Sequence, residues 1–258
     1  MKLVVAGGNG FIGSQICRIA IENGHDVVAF GRSGKPDRTP VKDPWVGKVD
    51  WRRADIFDAD AWTDALEEAD AFIHSIAVIS QDPEKDVTFD RINGESAIFA
   101  AEQCAEAGVD GFVFLSVRDK PPLVSGRFLA AKRRAEREIP EEFPDLRVTS
   151  LRANLVYGSG RPGSSTIGAL LEQFEGLAGA YSARNGRPLP VELVAAAAVH
   201  AATTPTVEGT LSVNQIADAG RTSGLIDLDD ISEPSLTPLL ATTAGVLLGG
   251  WALRRLWR

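Results

Sequence analysis

The chain has 258 residues, 44% of them hydrophobic and 24% charged, which suits one α/β domain with a substantial core and excludes a disordered chain. Its net charge of −8 leaves no basic stripe for neutralising phosphates, which excludes nucleic acid as a partner.

KLVVA (Lys2 to Ala6) is a short apolar run of the kind buried on both faces of a parallel sheet. Because Lys2 leads straight into it, no signal peptide is expected. GGNGFIG follows, then a helical pattern with Ile12, Ile16, Ile19 and Ala20 on one face, ending near Gly24. DVVAF (Asp26 to Phe30) is the second strand. Further strands are expected at Val49 to Arg52, Ala71 to Ile76, Gly111 to Ser116 and Arg147 to Leu151. Helices are expected between them at Ala61 to Glu68, Phe89 to Ala107 and Arg127 to Glu138. Strands alternating with helices predict a doubly wound parallel sheet, the Rossmann arrangement, with helices on both faces.

After about Tyr157 the pattern changes to a Gly/Ser loop and isolated elements: a helix at Val191 to Thr203 and a short strand at Leu211 to Asn214. These are expected to form a small C-terminal lobe over the carboxyl edge of the sheet. The layout is therefore a Rossmann domain over 1–220, an acidic linker over 221–234 and an apolar helix over 235–258.

Gly7, Gly10 and Gly13 carry the strongest chemical signal, set directly between a strand and a helix. Gly7 permits a sharp turn, Gly10 lets the backbone approach a pyrophosphate, and Gly13 permits close helix–strand packing. The helix N-terminus then offers free N–H groups and the positive end of its dipole. The turn from Gly7 through Asn9, Gly10, Phe11 and Ile12 to Gly13 is thus the expected phosphate cradle. At the end of the second strand an NAD site wants a carboxylate for the ribose hydroxyls, and this chain has Phe30-Gly31-Arg32-Ser33. A planar guanidinium at Arg32 with the Ser33 hydroxyl beside it favours a 2′-phosphate, hence NADP(H) over NAD(H). The alternative is that Arg32 is a solvated loop charge.

Cys17 and Cys104 fall in helix-like stretches and read as small buried hydrophobes. His25, His74 and His200 have no metal spacing, and no metal is expected.

With these residues read, the chain resembles the short-chain dehydrogenase/reductase superfamily, on its extended and atypical side, over about residues 1–215. GGNGFIG is similar to the family's TGxxGxxG. Asp55-Ile56 resembles the acid-plus-apolar pair that meets the adenine, and Ser75-Ile76-Ala77 the segment lining the middle of the cofactor. Ser116 sits where the catalytic Ser/Thr lies, LRANLVYG resembles LRPxxVYG, and RPLPVELVAAAAVHAA resembles the helix that begins the substrate lobe of epimerase-like members. In the stretch matching YxxxK, Phe128 replaces the tyrosine and Lys132 is retained. Phenylalanine cannot exchange a proton with a carbonyl, whereas Lys132 can still hold the nicotinamide ribose. Ser116 can hydrogen-bond a carbonyl or instead satisfy local backbone.

The same stretches resemble the group containing the NADP(H)-holding accessory subunit of respiratory complex I and relatives linked to coenzyme Q biosynthesis. That resemblance implies a dinucleotide held as a structural or sensing ligand near quinone or lipid, in a respiratory or quinone-biosynthesis complex. From Leu236 to Leu253 no residue is charged, and as a helix this stretch would be roughly 27 Å long. Gly245 and Gly249 offer a close-packing face, and Trp251, Trp257, Arg254, Arg255 and Arg258 an interfacial girdle. A helix in the membrane, a tail dipping into one leaflet and a helix docked on protein all remain readings of this segment. The first places a cytoplasmic domain at the inner face of the cell membrane. Three functions therefore compete: an NADP(H)-holding protein with little or no turnover, an active reductase or sugar-nucleotide epimerase/dehydratase, and a scaffold whose Rossmann fold no longer binds nucleotide.

Overall fold

The computed structural model describes residues 1–37, 41–120, 124–158 and 188–231. The strands are β1 (Lys2–Ala6), β2 (Asp26–Gly31), β3 (Asp50–Arg53), β4 (Ala71–His74), β5 (Gly111–Val117), β6 (Arg147–Ala153), β7 (Val156–Tyr157), β8 (Leu189–Pro190) and β9 (Gly209–Leu211). The helices are α1 (Phe11–Glu22), α2 (Ser96–Ala107), α3 (Gly126–Glu142), α4 (Val191–Thr203) and α5 (Val213–Thr222). Seven strands form one parallel sheet in the order β3-β2-β1-β4-β5-β6-β9, and β7 pairs with β8 apart from it. The order reverses at β1, between β2 and β4, which places the crevice of a doubly wound sheet beside the glycine turn.

Alternation along each strand builds two cores. Leu3, Val5, Ala29, Ile73 and Val113 face α1, α4 and α5, while Val4, Ala6, Phe30, Phe72, Phe112 and Phe114 face α2 and α3. The second core is aromatic: Phe72 stacks on Phe112 at 5.5 Å between ring centroids and Phe30 on Trp62 at 5.0 Å. The first is aliphatic, and α4 lies deep within it, packed against α1, α5 and the sheet. Its alanine run lets three helices and a sheet approach closely; Gly220 of α5 sits over the Leu193 backbone, where a Cβ would meet Leu193 Cα at 3.0 Å. Arg147, at the start of β6, closes the C-terminal end of α4 by donating to the Ala201 carbonyl at 2.9 Å.

Three expectations are corrected. The stretch Ala61 to Glu68 is not one helix but two tight turns, Ala59–Ala61 and Thr63–Leu66, broken at Trp62. The Trp62 indole is fully buried and donates to the Ile56 carbonyl at 3.0 Å, so a tertiary contact outweighs a segment too short to nucleate well. The α4 helix belongs to the layer beneath the sheet rather than to a lobe over its carboxyl edge. The last strand ends at Leu211, and Asn214 already belongs to α5, which starts at a capping box formed by Ser212 and Gln215 and takes in Arg221 and Thr222 from the segment read as linker.

Among the described residues no helix is long and apolar enough to cross a membrane. The uncharged stretch 236–253 and the arginines and tryptophan that follow it lie outside the described residues, as does most of the Gly/Ser loop after Tyr157.

Candidate dinucleotide site

The turn after β1 is shaped by its glycines. Gly7 adopts φ +80, a conformation that side chains rarely take, and donates from its N–H to the Phe30 carbonyl at 2.8 Å. Gly10 returns its N–H to the Gly7 carbonyl at 2.8 Å and caps α1. At Gly13 a Cβ would overlap the Gly7 carbonyl and stand 2.7 Å from Ser75 Oγ, so the helix approaches the turn only without a side chain there. Gly10 is exposed, and the α1 N-terminus opens onto a cavity of about 560 Å³.

That cavity gathers most of the residues expected from sequence. Gly7, Asn9, Gly10, Arg32, Ser33, Asp55, Ile56, Ser75, Ile76 and Ala77 all line it. Asn9 donates from Nδ2 to Ser33 Oγ at 3.0 Å, joining the two loops. Arg32 is exposed, while its carbonyl accepts from Arg53 Nε at 3.1 Å. Asp55 accepts the Phe57 N–H at 3.0 Å, leaving its exposed carboxylate on the cavity rim, and Ile56 is buried. Ser75 donates to the Ala6 carbonyl at 2.9 Å and so ties β4 to the glycine turn. Phe11 and Gly13 do not line the cavity: Phe11 packs on the aliphatic core and Gly13 acts through contact alone.

Ser75, Ile76 and Ala77 also line a smaller cavity of about 230 Å³, which Ile12, Ser116, Phe128 and Lys132 share. The two spaces meet along this segment. Ser116 Oγ is buried with no hydrogen-bond partner among the described residues, so it does not satisfy local backbone there. Lys132 is 1% exposed; its ammonium donates to the Leu115 carbonyl at 2.9 Å and lies 4.5 Å from the centre of the Phe114 ring. Burial lowers its pKa to about 7, against a smaller opposing pull from Glu136. Phe128 is buried edge-on to Phe89, with ring centroids 5.7 Å apart.

Sequence reading missed Asn93. It is fully buried in a wide helical turn, Asp90–Glu95, that runs into α2; its amide accepts from the Val78 N–H at 2.8 Å and donates to the Val78 carbonyl at 2.9 Å. This clamp fixes the loop carrying Ser75 to Ala77. Set among Asp90, Arg91 and Glu95, Asn93 gives no signal of burial in the sequence.

The remaining titratable groups of interest lie away from the cradle. His74 is fully buried, its Nε2 3.0 Å from Ser96 Oγ, and burial followed by the Lys132 charge holds it well below the usual imidazole range. Cys17 and Cys104 are buried and free, with thiols pushed up by desolvation. His200 Nδ1 lies 3.2 Å from Thr204 Oγ1.

A parallel sheet with its crevice at a glycine turn, and the helix N-terminus opening onto that crevice, define a Rossmann-type nucleotide-binding protein. Residues 3–119 match the NAD dependent epimerase/dehydratase family. An uncharacterized chloroplastic protein of Arabidopsis thaliana is 36% identical over 160 residues, covering 61% of this chain and 51% of that one. MIOREX complex component 2 of Saccharomyces cerevisiae is 27% identical over 205 residues, covering 62% and 74%. The chain thus spans about half the length of the Arabidopsis relative. Among solved structures, UDP-glucose 4-epimerase of Thermus thermophilus in complex with NAD superposes with a TM-score of 0.59 at 20% identity, covering 95% of this chain and 93% of that one. Over residues 3–119 the chain is thus similar to the epimerase/dehydratase family, and the solved structure shows the fold that it shares.

Proposed function

We propose that this chain holds NADP(H) along the two joined cavities with little or no turnover. The single observation that carries this reading is Phe128, a hydrocarbon ring on the wall of the cavity that contains Ser116 and Lys132. In the family's pattern this position carries the proton donor. The residues present fit the dinucleotide: glycines whose Cβ atoms would fill the cradle, an open helix N-terminus and a buried, unpartnered Ser116 hydroxyl. Gly7, Asn9 and Gly10 would hold the pyrophosphate, Asp55 and Ile56 the adenine end, Arg32 and Ser33 a 2′-phosphate, and Ser75 to Ala77 the middle of the molecule. When bound, the cofactor would supply hydride chemistry; Ser116 and Lys132 would bind and orient it.

Attachment to the inner face of the membrane, near quinone or a respiratory or quinone-biosynthesis complex, belongs to the same proposal. It rests on the uncharged stretch 236–253 and on one relative being a named component of a complex. The second reading, an active NAD(P)-dependent reductase or epimerase/dehydratase, draws on the match to the epimerase/dehydratase family and on the pairing of Ser116 with Lys132 in one cavity.

The test is NADPH oxidation with ketones and quinones by the full chain and by Phe128→Tyr. Activity only in the variant supports the holding role, and strong parent activity rejects it. Fractionation with and without residues 235–258 tests the membrane reading; a full chain that stays soluble without detergent counts against it.

A further inference from the structure

On the α3 face of the sheet, away from the glycine turn, a second groove has no part in the reading above. It measures about 420 Å³ and is lined by Arg118, Arg133, Arg152, Thr210 and Ser212. The three arginines come from three elements, the end of β5, α3 and β6, so the fold rather than a local charge run brings them together. No carboxylate lines the groove among the described residues.

Glu136 organises it from behind. Its side chain, 4% exposed, accepts from Arg133 Nη1 at 2.9 Å and from Arg152 Nη2 at 2.7 Å, with Arg152 Nε 3.0 Å from both carboxylate oxygens. Arg133 Nη2 also donates to the Arg118 carbonyl at 2.7 Å. One buried carboxylate thus aligns two planar guanidinium groups whose charges oppose each other, and Arg118 lines the same groove. Asp119, which lines the cavity of Ser116 and Lys132, offsets Arg133 only through its field. Charge balance around one carboxylate requires one arginine, and Glu136 holds two. The surplus cation, held side-on to a groove that Thr210 also lines, suits an oxyanion carrying more than one negative charge. Ser212 caps the ten-residue α5, whose positive dipole end lies at the same rim.

We propose that this groove binds a phosphate monoester, recognised by the guanidinium forks of Arg118, Arg133 and Arg152. A carboxylate would neutralise only one charge, whereas a monoester carries close to two at neutral pH. Free small phosphates and the headgroup of an anionic phospholipid share this chemistry, and the experiment separates them.

Full-length protein is titrated with inorganic phosphate and, separately, with vesicles of phosphatidylcholine with and without phosphatidic acid. Arg118→Gln and Arg152→Lys are compared with the parent; the second keeps the charge facing Glu136 and loses the fork, and circular dichroism checks folding. Phosphate binding weakened about tenfold or more in both variants supports the site with a free ligand. Binding only to phosphatidic acid vesicles, lost in both variants, supports it with a lipid headgroup. Phosphate binding equal in parent and variants places the ion elsewhere, in the glycine turn for example, and overturns the proposal. Failure of the parent to bind either probe also overturns it.

Discussion

The Lys132 ammonium donates to the carbonyl of Leu115 at 2.9 Å, one residue before the unpartnered Ser116 hydroxyl on β5. The lysine is thereby tied to the strand that carries the serine, and both groups line one cavity. Burial costs the charged form, which lowers its pKa from 10.5 to about 7. Between those values the unfolded chain binds a proton that the folded chain does not, so this group makes stability rise with pH across that window. Below about 7 both states are protonated and the penalty is complete. Lys132→Met should therefore flatten the rise in unfolding free energy between pH 7 and pH 10, where one fully coupled group gives about 1.4 kcal/mol per pH unit. Denaturant midpoints of parent and variant at several pH values check this; parallel profiles would show that Lys132 is not the titrating group.

Gly13 tests the turn. In an exposed helix, alanine would be favoured over glycine by about 1 kcal/mol. Here its methyl group meets the Gly7 carbonyl and Ser75 Oγ, neither of which can move without breaking the β1–β4 connection. Overpacking of this kind costs about 1–3 kcal/mol, so the clash wins. Gly13→Ala should lower Tm by several degrees, at about 2–4 °C per kcal/mol for a chain of this size, and should weaken dinucleotide binding in the same preparation. Unchanged values for both would show that α1 is free to shift.

Arg32 tests cofactor choice. It is exposed and lines the outer cavity beside Ser33, so replacing it should leave the fold intact. Arg32→Glu exchanges a charge-assisted partner of a 2′-phosphate for a repelling carboxylate. NADPH binding should fall by about tenfold or more, with NADH binding changed far less. Fluorescence titration of both cofactors decides it: equal losses would mean that Arg32 only contributes to the general field.

The legible parts were those where one local pattern meets one requirement. Buried parallel strands read as apolar runs, and the glycine turn reads as a turn because Gly7 needs a positive φ and Gly13 needs no Cβ. From these, most of the cavity wall can be named on sequence alone. The rest depends on contacts between residues distant in sequence. Trp62 breaks a helix because its indole reaches Ile56 in the aromatic core, and Asn93 matters only because Val78 comes to lie beside it. The arginine groove is invisible in sequence, since Arg118, Arg133 and Arg152 meet only through the packing of α3 on β5 and β6. The alanine run of α4 reads as an isolated helix until α1 and α5 are seen against it.

That last packing supplies a paired prediction. Gly220 in α5 and Gly126 at the first turn of α3 are both helical glycines, and helix propensity alone would favour alanine at each by up to about 1 kcal/mol. A Cβ on Gly220 would collide with the Leu193 backbone, Cα at 3.0 Å, whereas a Cβ on Gly126 meets nothing within 4 Å among the described residues. Because a backbone neighbour buried in the aliphatic core cannot rotate away, α5 must lift from α4 to admit the methyl group, which exposes Ile216 and Ala217. Gly220→Ala should therefore destabilise by about 1–3 kcal/mol, while Gly126→Ala should be neutral or mildly stabilising. Denaturant unfolding of the two variants beside the parent reads the difference directly. A neutral Gly220→Ala would mean that α5 is not seated on α4 and that the aliphatic core ends one helix earlier.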